Sequence, residues 1–218
     1  MIYGTVVYII TGNKYAFQMG VNVFLCFFFT LMKLFPKDRF ILSRLSFRIE
    51  SIALVQIFLS AFGGLYLNFY YTIYSFDMLL HFFVSIIAVY ICYELTFAAM
   101  KDKTKMTPAF GALCGIGWVN SFAIFWEIFE FTYDQLTNSN TQHWDLKQAG
   151  PNGTEIFHFT NPMRYALFDT MSDLILGFAG ALLGGIIVYV WLKKRAQKAA
   201  AAPQEKVAEM YVAASLGK

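Results

Sequence analysis

The stretch Trp126-Glu127-Ile128-Phe129-Glu130-Phe131-Thr132-Tyr133-Asp134 closes an apolar run that begins at Pro108. As a helix, Pro108–Tyr133 is long enough to cross the ~30 Å hydrocarbon core of a bilayer, so these nine residues read as the polar end of a membrane span. In helical geometry Glu127 and Glu130 are three residues apart and Asp134 is seven from Glu127, which puts all three carboxylates on one face. They also fall at the C-terminal end of the helix, where the macrodipole is negative and acids are disfavoured. Such an arrangement needs compensation from elsewhere in the chain.

Composition supports the membrane reading. Of the 218 residues, 58% are hydrophobic and 19% aromatic, mean hydropathy is +0.52, and only 14% are charged, against about 25% in an average soluble domain. A net charge of +3 is too small to suggest nucleic acid as a partner. Cys26, Cys92 and Cys114 all lie in apolar runs without a metal-type spacing and read as packing groups. The first apolar run lacks a basic leader, so no signal peptide is expected. Asn152-Gly153-Thr154 reads as a chance sequon.

The runs predict an all-α polytopic transmembrane bundle over residues 1–194, followed by a cytoplasmic mobile tail at 195–218. Five spans are expected, at about 15–35, 51–72, 78–98, 108–133 and 174–191, with a polar loop at 134–165. Met1–Thr11 is apolar but too short to span, and reads as an interfacial or re-entrant segment. Tyr70, Tyr71, Tyr74, Trp126, Tyr133 and Trp144 read as an interfacial aromatic belt. Gly111-x-x-x-Gly115 and Gly180-x-x-x-Gly184 read as close helix packing, which could bring the two acid-bearing helices together.

Charge sets the expected orientation. With five spans, 14 of the 17 Lys and Arg fall on one side, leaving only Lys14, Lys147 and Arg164 on the other. The positive-inside rule then puts the N-terminus outside and the C-terminus in the cytoplasm.

The same topology sorts the polar residues. Asp77 opens the third span and His81 lies one turn deeper on the same face. Asp169 and Asp173, again four apart, open the fifth. By helical rise these residues share a shallow slab with Glu127, Glu130 and Asp134. Singly, an N-terminal Asp is a capping group and a lone His a core residue, and Glu127 or Glu130 could pair with Arg164 or Lys147. As a set, six carboxylates in a low-dielectric site must protonate, pair with cations or bind metal. Facing helices that carry acid-x-x-acid and acid-x-x-x-His pairs suit carboxylate-bridged metal sites. The expected ligands are Asp77, His81, Glu127, Glu130, Asp169 and Asp173, with Glu127 or Glu130 free as a catalytic base. An oxygen-rich set with one imidazole suits Mn, Fe or Mg.

Asp77-Met78-Leu79-Leu80-His81-Phe82, the Glu127–Glu130 pair and Asp169-x-x-x-Asp173-x-x-x-Gly177 resemble the small YjdF-like inner-membrane proteins. More remotely they resemble the VanZ-like family linked to glycopeptide resistance, whose pattern is Asp-Lys-x-x-His-Phe, acid-x-x-Gln and Asp-x-x-x-Asn-x-x-Gly. Met78, Glu130 and Asp173 depart from the latter, two of them towards more acid. The resemblance covers the last three spans and implies a bacterial-type membrane protein whose polar residues act together. The first function expected is a metal-dependent hydrolase acting on an envelope lipid or a lipid-linked phosphate. The alternatives are a non-catalytic assembly protein with a structural cation, or a proton- or cation-coupled carrier.

Overall fold

The computed structural model describes residues 2–12, 16–36, 43, 47–73, 75–145 and 161–201. All regular structure among them is helical. In chain order the helices are α1 (Ile2–Ile10), α2 (Ala16–Met32), α3 (Phe47–Phe58), α4 (Phe69–Thr72), α5 (Phe76–Ala99), α6 (Pro108–Thr137) and α7 (Pro162–Ala200). Four stretches are long and apolar enough to cross a membrane: Ile49–Tyr66, Phe76–Ala99, Pro108–Thr137 and Met163–Ala200. A shorter apolar helix, Met19–Met32, lies within α2, and α1 packs beside α2.

Helices α5, α6 and α7 form the core, and each packs extensively on the other two. Val89, Cys92, Tyr93, Val119, Ala181, Val188 and Leu192 are buried together between them. Glycines on α6 and α7 make this possible. A Cβ on Gly115 would stand 2.6 Å from the Val89 carbonyl oxygen, and one on Gly180 would stand 2.2 Å from that of Phe82. Backbone meets backbone at these points, so only hydrogen fits, and close approach is what holds helices together where lipid removes the hydrophobic drive. Both motifs therefore press onto α5 rather than chiefly onto each other, which makes α5 the shared partner of the two acid-bearing helices.

Around this core α2 and α3 form a looser pair. At the end away from Asp77, the Lys33 ammonium and the Thr30 hydroxyl both donate to buried Glu50, the latter at 2.7 Å. Glu50 thereby ties α2 to α3 and has its charge satisfied.

The structure differs from the expected spans in three places. The first, expected at about 15–35, is helical over Ala16–Met32 and is not among the four long stretches of the described residues. The second is not one continuous α-helix to Thr72. After Phe58 it widens into a π-helical stretch, Leu59–Tyr66, and then breaks at Asn68, whose φ is 63°. Gly64 leaves room there for the Tyr70 ring: a Cβ would lie 2.1 Å from it. The last helix starts at Pro162, twelve residues before Leu174. Asn161 caps it, its Oδ1 accepting from the backbone N–H of Met163 at 3.0 Å, with proline at the first helical position. The expected mobile tail begins inside this helix, which runs on to Ala200; the remainder of the tail lies outside the described residues.

Candidate functional site

Three helix ends meet at one end of the core. Asp77 lies in the first turn of α5 with His81 one turn on, 3.6 Å from it, Nε2 to Oδ1. Glu127 and Glu130 come from the C-terminal half of α6, and Asp169 and Asp173 from the third and fourth turns of α7. All four are buried, Asp173 to 1% exposure and Glu127 to 6%. The spacing that puts each pair on one face, together with the glycine seams, brings Asp77, His81, Asp169 and Asp173 within ligand distance in two groups. Glu127 and Glu130 lie within electrostatic reach but in neither group.

Their environments differ. Glu130 accepts a hydrogen bond from the Trp126 indole at 2.8 Å and lies within electrostatic reach of Asp77, Glu127, Asp169 and Asp173. Glu127 faces the Thr170 hydroxyl, but neither of its oxygens reaches hydrogen-bond geometry. Neither oxygen of Asp173 has a partner either. Among the described residues no Lys or Arg pairs with any of these acids. Arg164 is exposed, and Lys147 lies outside the described residues.

Asp134 shares their face in the sequence but does different work. It accepts from the Ser139 hydroxyl (2.6 Å), the Thr141 N–H (2.9 Å) and hydroxyl (2.7 Å), and the Gln142 N–H (3.0 Å). The chain turns at Asn138, φ 53°, and Asp134 draws residues 139–142 back over the end of α6. The inward face of Asp134 is thus fully used by the loop, and it is not a spare charge.

The product of that turn is His143, a residue that helical periodicity does not point to. It is 6% exposed, and its Nδ1 lies 2.8 Å from Asp169 Oδ1. Tyr71 packs edge-on against its ring and donates to the Asn140 carbonyl at 3.2 Å. Burial alone would lower the His143 pKa. The adjacent Asp169 carboxylate, by charge and hydrogen bond, and the charges of Asp77 and Asp134 outweigh it and push the value up to about 9. The available signal was the run Asn138-Ser139-Asn140-Thr141, whose short polar side chains favour turns bonded back to the backbone.

Two three-residue groups result. Asp77, His143 and Asp169 each offer a ligand atom within 4.8 Å of the others, and so do Asp77, His81 and Asp173. Beside them a cavity of about 340 Å³ runs between α2, α3, α5 and α6. Its walls away from the cluster are mostly apolar, with Leu25, Ile57, Val84, Val119 and Phe122, interrupted by Asn22, Gln56, Ser60 and Ser85, while Asp77, His81, Glu130 and His143 lie at one end. Tyr70, Tyr71 and Trp126 line it too, so these three members of the expected aromatic belt turn inward. The Trp144 indole bonds the Ser139 carbonyl at 2.6 Å, and Tyr133 is buried. Tyr74 lies outside the described residues.

A multi-pass membrane protein whose core helices converge on a buried carboxylate–histidine cluster beside an apolar cavity is the class these features define. The family described as predicted membrane protein (DUF2238) matches residues 1–194, and the chain belongs to it; this is the YjdF family of the resemblance noted above. A Thermotoga maritima protein described as an uncharacterized protein is 29% identical over 137 residues, 62% of this chain and 58% of that relative. The match thus spans little more than half of the relative's length. No solved structure matches the chain.

Proposed function

We propose that the cluster is a divalent-metal centre and that it hydrolyses a phosphate ester of an envelope lipid or lipid-linked carrier. The observation that carries this reading is Asp173, a carboxylate at 1% exposure with both oxygens unpartnered, beside a second orphan, Glu127, and two histidines. Buried charge without a partner is costly enough to demand a counter-ion or a proton. A mixed set of carboxylate oxygens and imidazole nitrogens suits Mn, Fe or Mg. The fit of the apolar cavity to a hydrocarbon chain, with the cluster at its polar end, supports a lipid as substrate.

A bound ion would supply Lewis acidity and a more acidic water. The remaining chemistry falls to side chains. Glu130 lines the cavity and has one oxygen held by Trp126, so it suits the general base. It takes a proton as the water oxygen bonds to phosphorus, and returns it to the lipid oxygen as that bond breaks. The Trp126 bond fixes the carboxylate in one orientation. Glu127, outside the cavity lining, suits a ligand.

The reading is tested on protein purified with metal supplementation. Elemental analysis should find bound divalent metal, chelator should lower the melting temperature, and Glu127→Gln and Asp173→Asn should each lower it in loaded protein. Metal-free wild type, or stabilised variants that ignore chelator, would overturn the metal centre. Glu130→Gln should keep the metal and abolish phosphate release from a phosphorylated lipid in mixed micelles. The cluster also joins α5, α6 and α7, which favours a second reading as a structural cation staple. In that case chelation costs thermal stability and no phosphate release is found.

The proposed setting is the inner membrane with the cluster facing outward, supported by the Lys and Arg asymmetry of the sequence. In a background lacking Cys26, Cys92 and Cys114, Met163→Cys should label from outside intact cells and Lys103→Cys should not. The reverse pattern would move the cluster to the cytoplasmic side.

A further inference from the structure

We infer that the centre is dinuclear, with Asp77 as the carboxylate shared between two divalent ions. This deepens the metal reading above and rests on it. The geometry comes first. Asp77 belongs to both ligand groups, with His143 and Asp169 in one and His81 and Asp173 in the other. Asp77 has two oxygens, so one carboxylate can serve both groups. No other residue occurs in both.

The second argument is the orphaned side chain. One ion at Asp77, His143 and Asp169 engages a pair that already bonds internally, His143 Nδ1 to Asp169 Oδ1 at 2.8 Å. Asp173 would still be buried at 1% exposure with neither oxygen partnered. A second ion, in the group of Asp77, His81 and Asp173, is what reaches it.

Charge supplies the third. With His81 and His143 neutral, as metal ligands must be, Asp77, Glu127, Glu130, Asp169 and Asp173 carry five negative charges when ionised, and no Lys or Arg among the described residues pairs with them. One divalent ion leaves three charges uncompensated in a buried site, whereas two leave one. Paired ions ~3.5–4 Å apart are also the arrangement that grips both the attacking and the leaving oxygen of a phosphate ester. The ligand class that follows is a phosphomonoester or phosphodiester, not an uncharged lipid.

The test is a count of Mn²⁺ in protein loaded with that metal alone, with electron paramagnetic resonance to report whether the ions are magnetically coupled. Wild type should hold two ions per chain and show a coupled spectrum. His143→Ala and His81→Ala should each hold one, with the uncoupled pattern of a single site. Asp77→Asn should lose the most, and Glu94→Gln, seventeen residues along α5 from Asp77, should hold two. Gln at either histidine position gives a second measurement if alanine prevents folding. One uncoupled ion in wild type would overturn the dinuclear inference and leave the metal centre standing. No ion at all would overturn both. Two ions unaffected by either histidine change would place the metal elsewhere and overturn the inference.

Discussion

Gly180→Ala should lower the melting temperature of the detergent-solubilised protein by roughly 5–10 °C, while Gly117→Ala should leave it unchanged or raise it slightly. Overpacking a well-filled interior costs about 1–3 kcal/mol and occasionally more, and a domain of this size shifts by roughly 2–4 °C per kcal/mol. Gly180 should lie at the high end. The added methyl would stand 2.2 Å from the Phe82 carbonyl oxygen and 3.1 Å from the Ser85 Cβ, so backbone must move. Alanine's better helix propensity, up to about 1 kcal/mol, offsets part of that cost. Gly117 isolates the propensity effect, because nothing lies within 4 Å of its would-be Cβ. Equal responses at the two positions would mean that the α5–α7 contact does not hold the core together.

Asp134→Ala should be the most damaging single change at the acidic end, although Asp134 belongs to neither ligand group. It removes the acceptor for four donors from Ser139, Thr141 and Gln142, at 2.6–3.0 Å. Hydrogen bonds to a charged group contribute about 1.5–3 kcal/mol each, though bonds sharing one acceptor do not add in full. A total loss of about 3–4 kcal/mol is expected. Asp134→Asn should fall between, since its amide oxygen still accepts from Ser139 and Thr141 while its NH₂ cannot accept from Gln142. Hydrogen exchange followed by mass spectrometry reads the effect directly. Amide protection over Asn138–Asp145 should collapse in the alanine variant and survive in part in the asparagine one. Unchanged protection in both would show that the turn holds itself.

These two positions mark what the sequence made legible. Apolar run length was enough for the helical membrane bundle, because every backbone polar group in lipid must be satisfied within its own helix. Helical rise was enough to bring Asp77, His81, Glu127, Glu130, Asp169 and Asp173 to one depth. Periodicity could not separate Asp134 from its neighbours: it shares their face, and only the returning loop distinguishes it. His143 was hidden for the same reason, since its position depends on a turn closed by side-chain bonds rather than on any repeat. The early start of α7 was visible in Asn161-Pro162, a cap signal that a hydropathy reading passes over. The inward turn of Tyr70 had its counterpart in Gly64, but nothing local links residues on two separate helices.

The arrangement of α2 and α3 has a consequence of its own. They are tied to each other through Lys33, Thr30 and Glu50, touch the three-helix core sparsely, and line one side of the cavity with Asn22, Leu25, Gln56 and Ile57. One side of the cavity therefore stands on helices that bear none of the clustered carboxylates, while α5 and α6 supply both carboxylates and wall. Substitutions at Leu25 or Ile57 can lengthen or shorten the room for a chain without shifting a single group of the cluster. A protein divided in this way can change what it accepts while keeping what it does.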